Sequence, residues 1–288
     1  MTVAEFDVSL PDGRTLHAYD RGGAGGLPVL WHHGTPNIGA PPEPLFESAD
    51  RLGLRWISYD RPGYGGSTRL PGRTMTTAAA DTAAVIDALG LDRIAVVGHS
   101  GGASHAVATA ALLGDRVLAV VSLAALAPYS AVGLDWFDGM TASGVTSLRA
   151  AAAGLTEKER QEASGVEYDP EFTAADLAAL AGTWAWLGQV VGPAVAGGPG
   201  GLIDDDMTYV ASWGCQPQQL TAPALFLHGG QDRVVPSAHS VWLAQHTPDA
   251  ELRLSADDGH ISVLEQAAAG LEWLRSATGS RSATSPPS

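Results

Sequence analysis

The chain has 288 residues, a formal net charge of −15 and one cysteine, Cys215. That length suits one large domain with an insertion, and a lone cysteine excludes an intramolecular disulfide. No apolar run approaches the ~20 residues needed to span a bilayer, and the acidic balance disfavours binding to nucleic-acid phosphates. The opening ten residues lack a basic stretch followed by an apolar one. No signal peptide is expected, and the sequence reads as a cytoplasmic chain.

In chain order, residues 6–10 and 15–19 flank Pro11-Asp12-Gly13-Arg14 and read as a hairpin. The glycine-rich stretch 22–26 precedes a strand, whereas a dinucleotide loop follows one, so it reads as a flexible link. Strands and helical stretches then alternate. Strands are expected at 29–31, 56–58, 94–97, 116–123, 224–227 and 251–254, and helices at 76–89 and 103–113. This alternation predicts the α/β class, with a mostly parallel central sheet flanked by helices.

The alternation stops after Ala127-Pro128 and resumes at Ala222-Pro223. Residues 128–221 are alanine-rich, with helical runs near 157–163 and 174–187. They hold twelve acidic and three basic residues. The run Asp204-Asp205-Asp206 reads as a solvated face, or as an acidic patch able to hold a free amine. Gly197 to Gly201 reads as a mobile loop. The tail, 277–288, is rich in Ser, Thr, Gly and Pro and is expected to be disordered.

The chemistry is concentrated in one pentapeptide and two later residues. Gly98-His99-Ser100-Gly101-Gly102 lies between the strand at 94–97 and the small-residue helix at 103–113. A strand–turn–helix of this kind lifts the serine to the apex of a tight turn. Downstream, Asp232 follows a strand, and His260 follows another. A serine hydroxyl is a poor nucleophile until a neutral imidazole takes its proton, and a carboxylate must hold that imidazole in the right tautomer. Asp257 and Asp258 lie too close to His260 in sequence to orient it. His105 reads as packed or solvated, and His239 and His246 as surface residues. No His-Glu-x-x-His or paired-cysteine spacing is present, so no metal is expected.

Four motifs together resemble the α/β-hydrolase superfamily, in its cap-bearing esterase, lactonase and perhydrolase-like branch. They are His33-Gly34-Thr35-Pro36, the stretch from Tyr59-Asp60-Arg61-Pro62 to Ser67, the Ser100 turn, and Gly230-Gln231-Asp232 with Gly259-His260. The resemblance implies an α/β-hydrolase core at 1–127 and 222–276, with a helical cap inserted at 128–221. It also implies Ser100 as nucleophile, His260 as base and Asp232 as its orienter. The backbone N–H groups of Gly101 and Thr35 would form an oxyanion hole, and the loop around Asp60 would be structural. His33 and His99 would floor the site. Tyr129, Trp136, Trp184, Trp186 and Trp213 are candidates for an apolar pocket wall.

The expected activity is hydrolysis of an uncharged small-molecule ester or lactone, with no cofactor and with no nucleic-acid or membrane partner. The alternatives are a proline-iminopeptidase-like aminopeptidase, a carbon–carbon bond hydrolase or lyase using the same residues, and a non-catalytic binding protein on this fold.

Overall fold

A computed structural model describes residues 2–282, with side-chain surroundings up to residue 279. The chain opens with the expected hairpin, β1 (Ala4–Ser9) and β2 (Thr15–Arg21). There follow β3 (Leu27–His32), α1 (Phe46–Leu52), β4 (Leu54–Tyr59), α2 (Met75–Ala88), β5 (Ile94–His99), α3 (Gly101–Leu113) and β6 (Val117–Leu123). Five helices come next: α4 (Ala142–Ala153), α5 (Leu155–Ala163), α6 (Ala174–Ala181), α7 (Leu187–Val195) and α8 (Gly200–Val210). The sheet is then completed by β7 (Ala224–Gly229) and β8 (Ala250–Ser255), with α9 (Ala238–Gln245) between them and α10 (Ala267–Ser282) at the end.

Among the described residues the sheet has eight strands, in the order β1-β2-β4-β3-β5-β6-β7-β8. The hairpin is antiparallel and joins β4 antiparallel; from β4 onward every pairing is parallel. Strands β5, β6 and β7 are buried at every position. This is why they read as unbroken apolar runs, as central parallel strands covered on both faces do.

Alternate strand residues feed two cores. Leu30, Ile57, Val96, Val120 and Phe226 face one cluster, completed by α2, α3 and α9. Val29, Trp56, Val97, Val121 and Leu225 face the other, completed by α1 and α10. The inserted helices contribute to both, Leu148 and Tyr209 to the first, and Ala179, Leu187 and Val190 to the second. They therefore straddle one end of the sheet.

Beneath them, the loop after β4 is tied by Asp60, a fully buried carboxylate. It accepts from the Gly39 N–H (2.5 Å), the Gly66 N–H (2.8 Å) and the Tyr19 hydroxyl (3.1 Å).

Two expectations are corrected. Gly200 and Gly201 open α8 rather than belonging to a mobile loop. A Cβ on Gly201 would stand 2.8 Å from both the Gly63 carbonyl oxygen and the Tyr64 ring, so this glycine permits close packing. The tail expected to be disordered from 277 is helical through Ser282. Leu271, Leu274 and Thr278 recur at helical spacing and are buried, and Ala277 packs against the same cluster. A polar composition hid that stripe. The remainder of that tail, 283–288, lies outside the described residues.

Candidate active site

Ser100 sits between β5 and α3 with φ 57° and ψ −130°. A positive φ is costly for a residue with a Cβ and persists only where the surroundings enforce it. Here the Ser100 N–H donates to the Leu123 carbonyl (2.8 Å), and the Ser100 carbonyl accepts from the Ala103 N–H (2.9 Å). The flanking glycines are sterically required. A Cβ on Gly98 would lie 2.3 Å from the Gly102 oxygen, and one on Gly102 would lie 2.1 Å from the His32 oxygen.

The loops after β7 and β8 bring Asp232 and His260 to this serine. His260 Nε2 is 2.9 Å from Ser100 Oγ, and His260 Nδ1 is 2.7 Å from Asp232 Oδ2. The other carboxylate oxygen, Oδ1, accepts from the Val234 and Val235 N–H groups, both at 2.9 Å. Burial alone would push the Asp232 carboxyl up. Its electrostatic interaction with His260 and the hydrogen bonds of His228 and His260 outweigh it and hold the group below the usual carboxylate range. Asp232 is therefore ionised and has no proton to give, so Nδ1 of His260 carries the hydrogen between them. Nε2 is left free to accept the Ser100 proton. His99 donates from Nε2 to the His260 carbonyl (2.9 Å) and so fixes the backbone of that loop. Burial and the neighbouring His260 push His99 down to about 3, which keeps it neutral.

Thr35 and Gly101 meet beside the serine. A Cβ built on Gly101 would lie 2.9 Å from Thr35 Oγ1 and 1.8 Å from the hydroxyl oxygen of Tyr209. Only glycine at 101 leaves room for that tyrosine, which arrives from α8. Among the described residues, neither the Gly101 nor the Thr35 N–H donates within the protein.

The acidic run is not a solvated face. Asp204, Asp205 and Asp206 are all buried, and each has its own cation. Asp204 pairs with Arg69 (2.8 Å), Asp205 with Arg61 and Arg73 (both 2.7 Å), and Asp206 with Lys158 (2.7 Å). Successive positions on α8 turn them toward different partners, four cations in all, which an unbroken triplet conceals in sequence. His33 is also fully committed. It donates from Nδ1 to the Gly34 carbonyl (2.8 Å) and accepts at Nε2 from the Arg61 N–H (3.0 Å).

Of the candidate aromatics, Trp136 and Trp213 belong to the first core cluster, and Trp184 and Trp186 to the second. Tyr129 is 38% exposed and packs edge-on to Trp136. His105 is packed. His239, expected on the surface, is buried: it accepts from the Ala127 N–H (3.0 Å) and donates to the Trp136 carbonyl (3.0 Å). His246 stacks on Trp242 at 3.8 Å. Arg61 lies in the motif expected to be structural, but its tie to Asp205 was not foreseen. Asp176 and Tyr209 were missed, and of these only Asp176 left a signal, the Thr173-x-x-Asp176 capping pattern.

The model of the alpha/beta hydrolase fold family matches residues 28–267. The chain belongs to that family. It is 30% identical over 241 residues to a non-heme chloroperoxidase of Streptomyces lividans, covering 80% of this chain and 83% of that protein. It is 27% identical over 265 residues to a 2-hydroxymuconate semialdehyde hydrolase of Pseudomonas putida, covering 90% and 88%. An enol-lactonase structure from Burkholderia xenovorans superimposes with a TM-score of 0.69 at 20% identity, over 94% of this chain and 98% of that one. The chain is accordingly a hydrolase of the alpha/beta fold. Among the described residues, no helix is long and apolar enough to cross a membrane.

Proposed function

We propose that this hydrolase cleaves a carboxylic ester or lactone of an uncharged small molecule through an acyl-enzyme on Ser100. The observation that carries the reading is the continuous hydrogen-bonded path Ser100–His260–Asp232 at 2.9 and 2.7 Å. As Ser100 Oγ attacks the carbonyl carbon, its proton passes to His260 Nε2. Asp232 stabilises the resulting imidazolium. The carbonyl oxygen becomes an oxyanion and takes the N–H groups of Gly101 and Thr35. His260 then returns its proton to the departing oxygen. A water activated by the same imidazole frees the acid and restores Ser100. Each proton is moved by the chain's own groups.

The helices of 128–221 act as a cap over this centre, on a core formed by 1–127 and 222–276. The neutral substrate follows from the pairing of Asp204, Asp205 and Asp206, which leaves no open carboxylate in that run for an ammonium and removes the ground for an aminopeptidase. The single cysteine suits action in the cytoplasm. The second reading is hydrolysis of a 2-hydroxymuconate semialdehyde by the same residues, on the strength of the Pseudomonas putida relative.

The test is a panel of p-nitrophenyl esters, simple lactones and that semialdehyde, run on the protein and on Ser100→Ala. Turnover of an ester or lactone is expected to fall by about 10⁶ in the variant. A fluorophosphonate should add once, at Ser100. Labelling that survives Ser100→Ala would exclude the assignment, and turnover of the semialdehyde alone would favour the second reading.

A further inference from the structure

Asp205 lies on α8, in the inserted helices, 105 positions beyond Ser100 in the sequence. Its carboxylate is nevertheless fully buried against the loop that carries Thr35. Burial would push this carboxyl up. The Arg61 and Arg73 charges outweigh it and hold the group well below the usual range. An ionised Asp205 only accepts hydrogen bonds, and this fixes every hydroxyl hydrogen around it. Thr35 Oγ1 must donate to Asp205 Oδ2 (2.5 Å), as does the Tyr64 hydroxyl (2.8 Å). Thr35 Oγ1, its own proton spent, accepts from the Tyr209 hydroxyl (2.6 Å) and from Arg61 Nη2 (3.0 Å). The direction of donation therefore runs from Tyr209 through Thr35 to Asp205.

The same arginine grips the peptide that precedes Thr35. Arg61 Nη2 donates to the Gly34 carbonyl (3.1 Å), and Nη1 donates to the His33 carbonyl. His33 Nδ1 gives the Gly34 oxygen a second hydrogen bond (2.8 Å). In a planar trans peptide, the C=O and N–H point in opposite directions. Holding the Gly34 oxygen toward Arg61 and His33 therefore aims the Thr35 N–H the other way. The Gly34–Thr35 peptide is clamped at its oxygen by Arg61 and at the Thr35 side chain by Asp205.

We propose that Asp205, acting through Thr35 and Arg61, is a positioning residue that aims the Thr35 N–H at the substrate oxygen. This rests on the reading of Ser100 as nucleophile and Thr35 as oxyanion donor. The inserted helices then do more than wall the pocket: one of them tunes the electrostatic centre of the reaction. Gly101 is part of the same device, because its missing side chain admits the Tyr209 hydroxyl that completes the path.

A purely structural role for Asp205, pinning α8 to the core, makes a different prediction, and α8 contains the control. Asp204 also pairs with a core arginine, Arg69, at 2.8 and 3.0 Å, but its carboxylate does not touch Thr35. The experiment compares Asp205→Asn, Asp204→Asn, Thr35→Val and Thr35→Ser, using kcat and KM on p-nitrophenyl acetate, melting temperature and fluorophosphonate labelling. Losing one oxyanion donor outright costs about 10²–10³ in kcat, so a misaimed donor is expected to cost about 10–100-fold.

Thr35→Val should lower kcat in that range with KM changed less than about threefold, a loss made only in the transition state. Thr35→Ser should restore kcat to within about threefold, because the hydroxyl returns. Asp205→Asn should lower kcat like Thr35→Val, while Asp204→Asn lowers the melting temperature and leaves kcat within about twofold. Wild-type kcat in Thr35→Val, or an Asp204→Asn loss equal to that of Asp205→Asn, overturns the proposal. The threonine pair keeps it falsifiable if Asp205→Asn does not fold. A wild-type protein that takes no label at Ser100 overturns the acyl-enzyme reading as well; full labelling with an unaffected Thr35→Val overturns this inference alone.

Discussion

Asp176 and Ser262 are joined through a single carboxylate oxygen. Asp176 Oδ1 accepts from the Ser262 N–H (2.8 Å), from its hydroxyl (3.0 Å) and from the Ile261 N–H (2.8 Å). Ile261 and Ser262 come directly after His260, whereas Asp176 stands on α6 among the inserted helices. The contact is close enough that a Cβ on Gly259 would lie 2.1 Å from Asp176 Oδ2. The inserted segment thus grips the histidine loop on one side of Ser100, as Asp205 grips the Thr35 loop on the other.

Replacing Asp176 by alanine should therefore affect rate and stability together. Hydrogen bonds to a charged group contribute about 1.5–3 kcal/mol each, and the backbone donors left behind are buried. A loss of about 3 kcal/mol is expected, which for a chain of this size lowers the melting point by roughly 6–10 °C. The freed His260 loop should also reduce kcat by at least about tenfold. Asp176→Asn keeps an acceptor oxygen in place and should recover most of both. Thermal unfolding and ester kinetics on the two variants check this; unchanged kcat in the alanine variant would show that the loop holds its own shape.

Acid should unfold the protein early. His32, His33, His99, His105 and His239 are all buried, and burial, the first cause in each case, pushes them down, to about 3 for His99 and His105 and about 4 for His239. In the unfolded chain they return to the ordinary histidine value, ~6.5. Below that pH the unfolded state binds more protons than the folded one, so stability falls as pH falls. Each such histidine contributes up to about 1.4 kcal/mol per pH unit until its folded value is reached. The stability is fully present above ~6.5 and is lost toward pH 4. Melting temperature measured from pH 8 to pH 4.5 should fall steeply below 6.5; a flat profile to pH 5 would contradict the burial of these rings as neutral groups.

Cutting the chain after Arg275 should destabilise it. Ala277 packs on the cluster that holds Leu271 and Leu274, Thr278 is buried, and the Thr278 hydroxyl donates to the Arg275 carbonyl (3.0 Å). Loss of these contacts is expected to cost about 1–2 kcal/mol, or roughly 2–8 °C. Cutting after Ser282 leaves them in place. Calorimetry on the two truncations isolates the contribution of the last turns of α10; equal melting points would place the boundary of the folded unit at Arg275.

The sequence carried the sheet well because its central strands are buried on both faces and so stand out as apolar runs. The order of Ser100, Asp232 and His260 was legible for a related reason. Ser100 and Asp232 follow such strands and His260 follows the edge strand β8, so the topology converts sequence order into proximity. The residues that hold these three in place were not legible. Asp176 and Asp205 reach the His260 and Thr35 loops across 86 and 170 positions, through backbone groups of residues 261–262 and the Thr35 hydroxyl. Neither kind of partner leaves a pattern in composition. The acidic triplet misled for the same reason: charge is visible in a sequence, but the cations that neutralise it come from the distant loop around 61–73 and from Lys158.

Lys158, the chain's one lysine, is fully buried. Its ammonium donates to Ser147, Gln161 and Glu162 and pairs with Asp206 on α8. Amine-directed reagents therefore find no lysine on the surface of the folded protein. They reach Nζ only when α5 lifts from α8, so acylation of Lys158 becomes a clock for that opening, read by mass at one position with no engineered label. The same burial shields the peptide bond after Lys158 from trypsin until the corner opens. Chemical and proteolytic clocks at this one site, run side by side, would time how often the inserted helices come apart while the sheet beneath them stays intact.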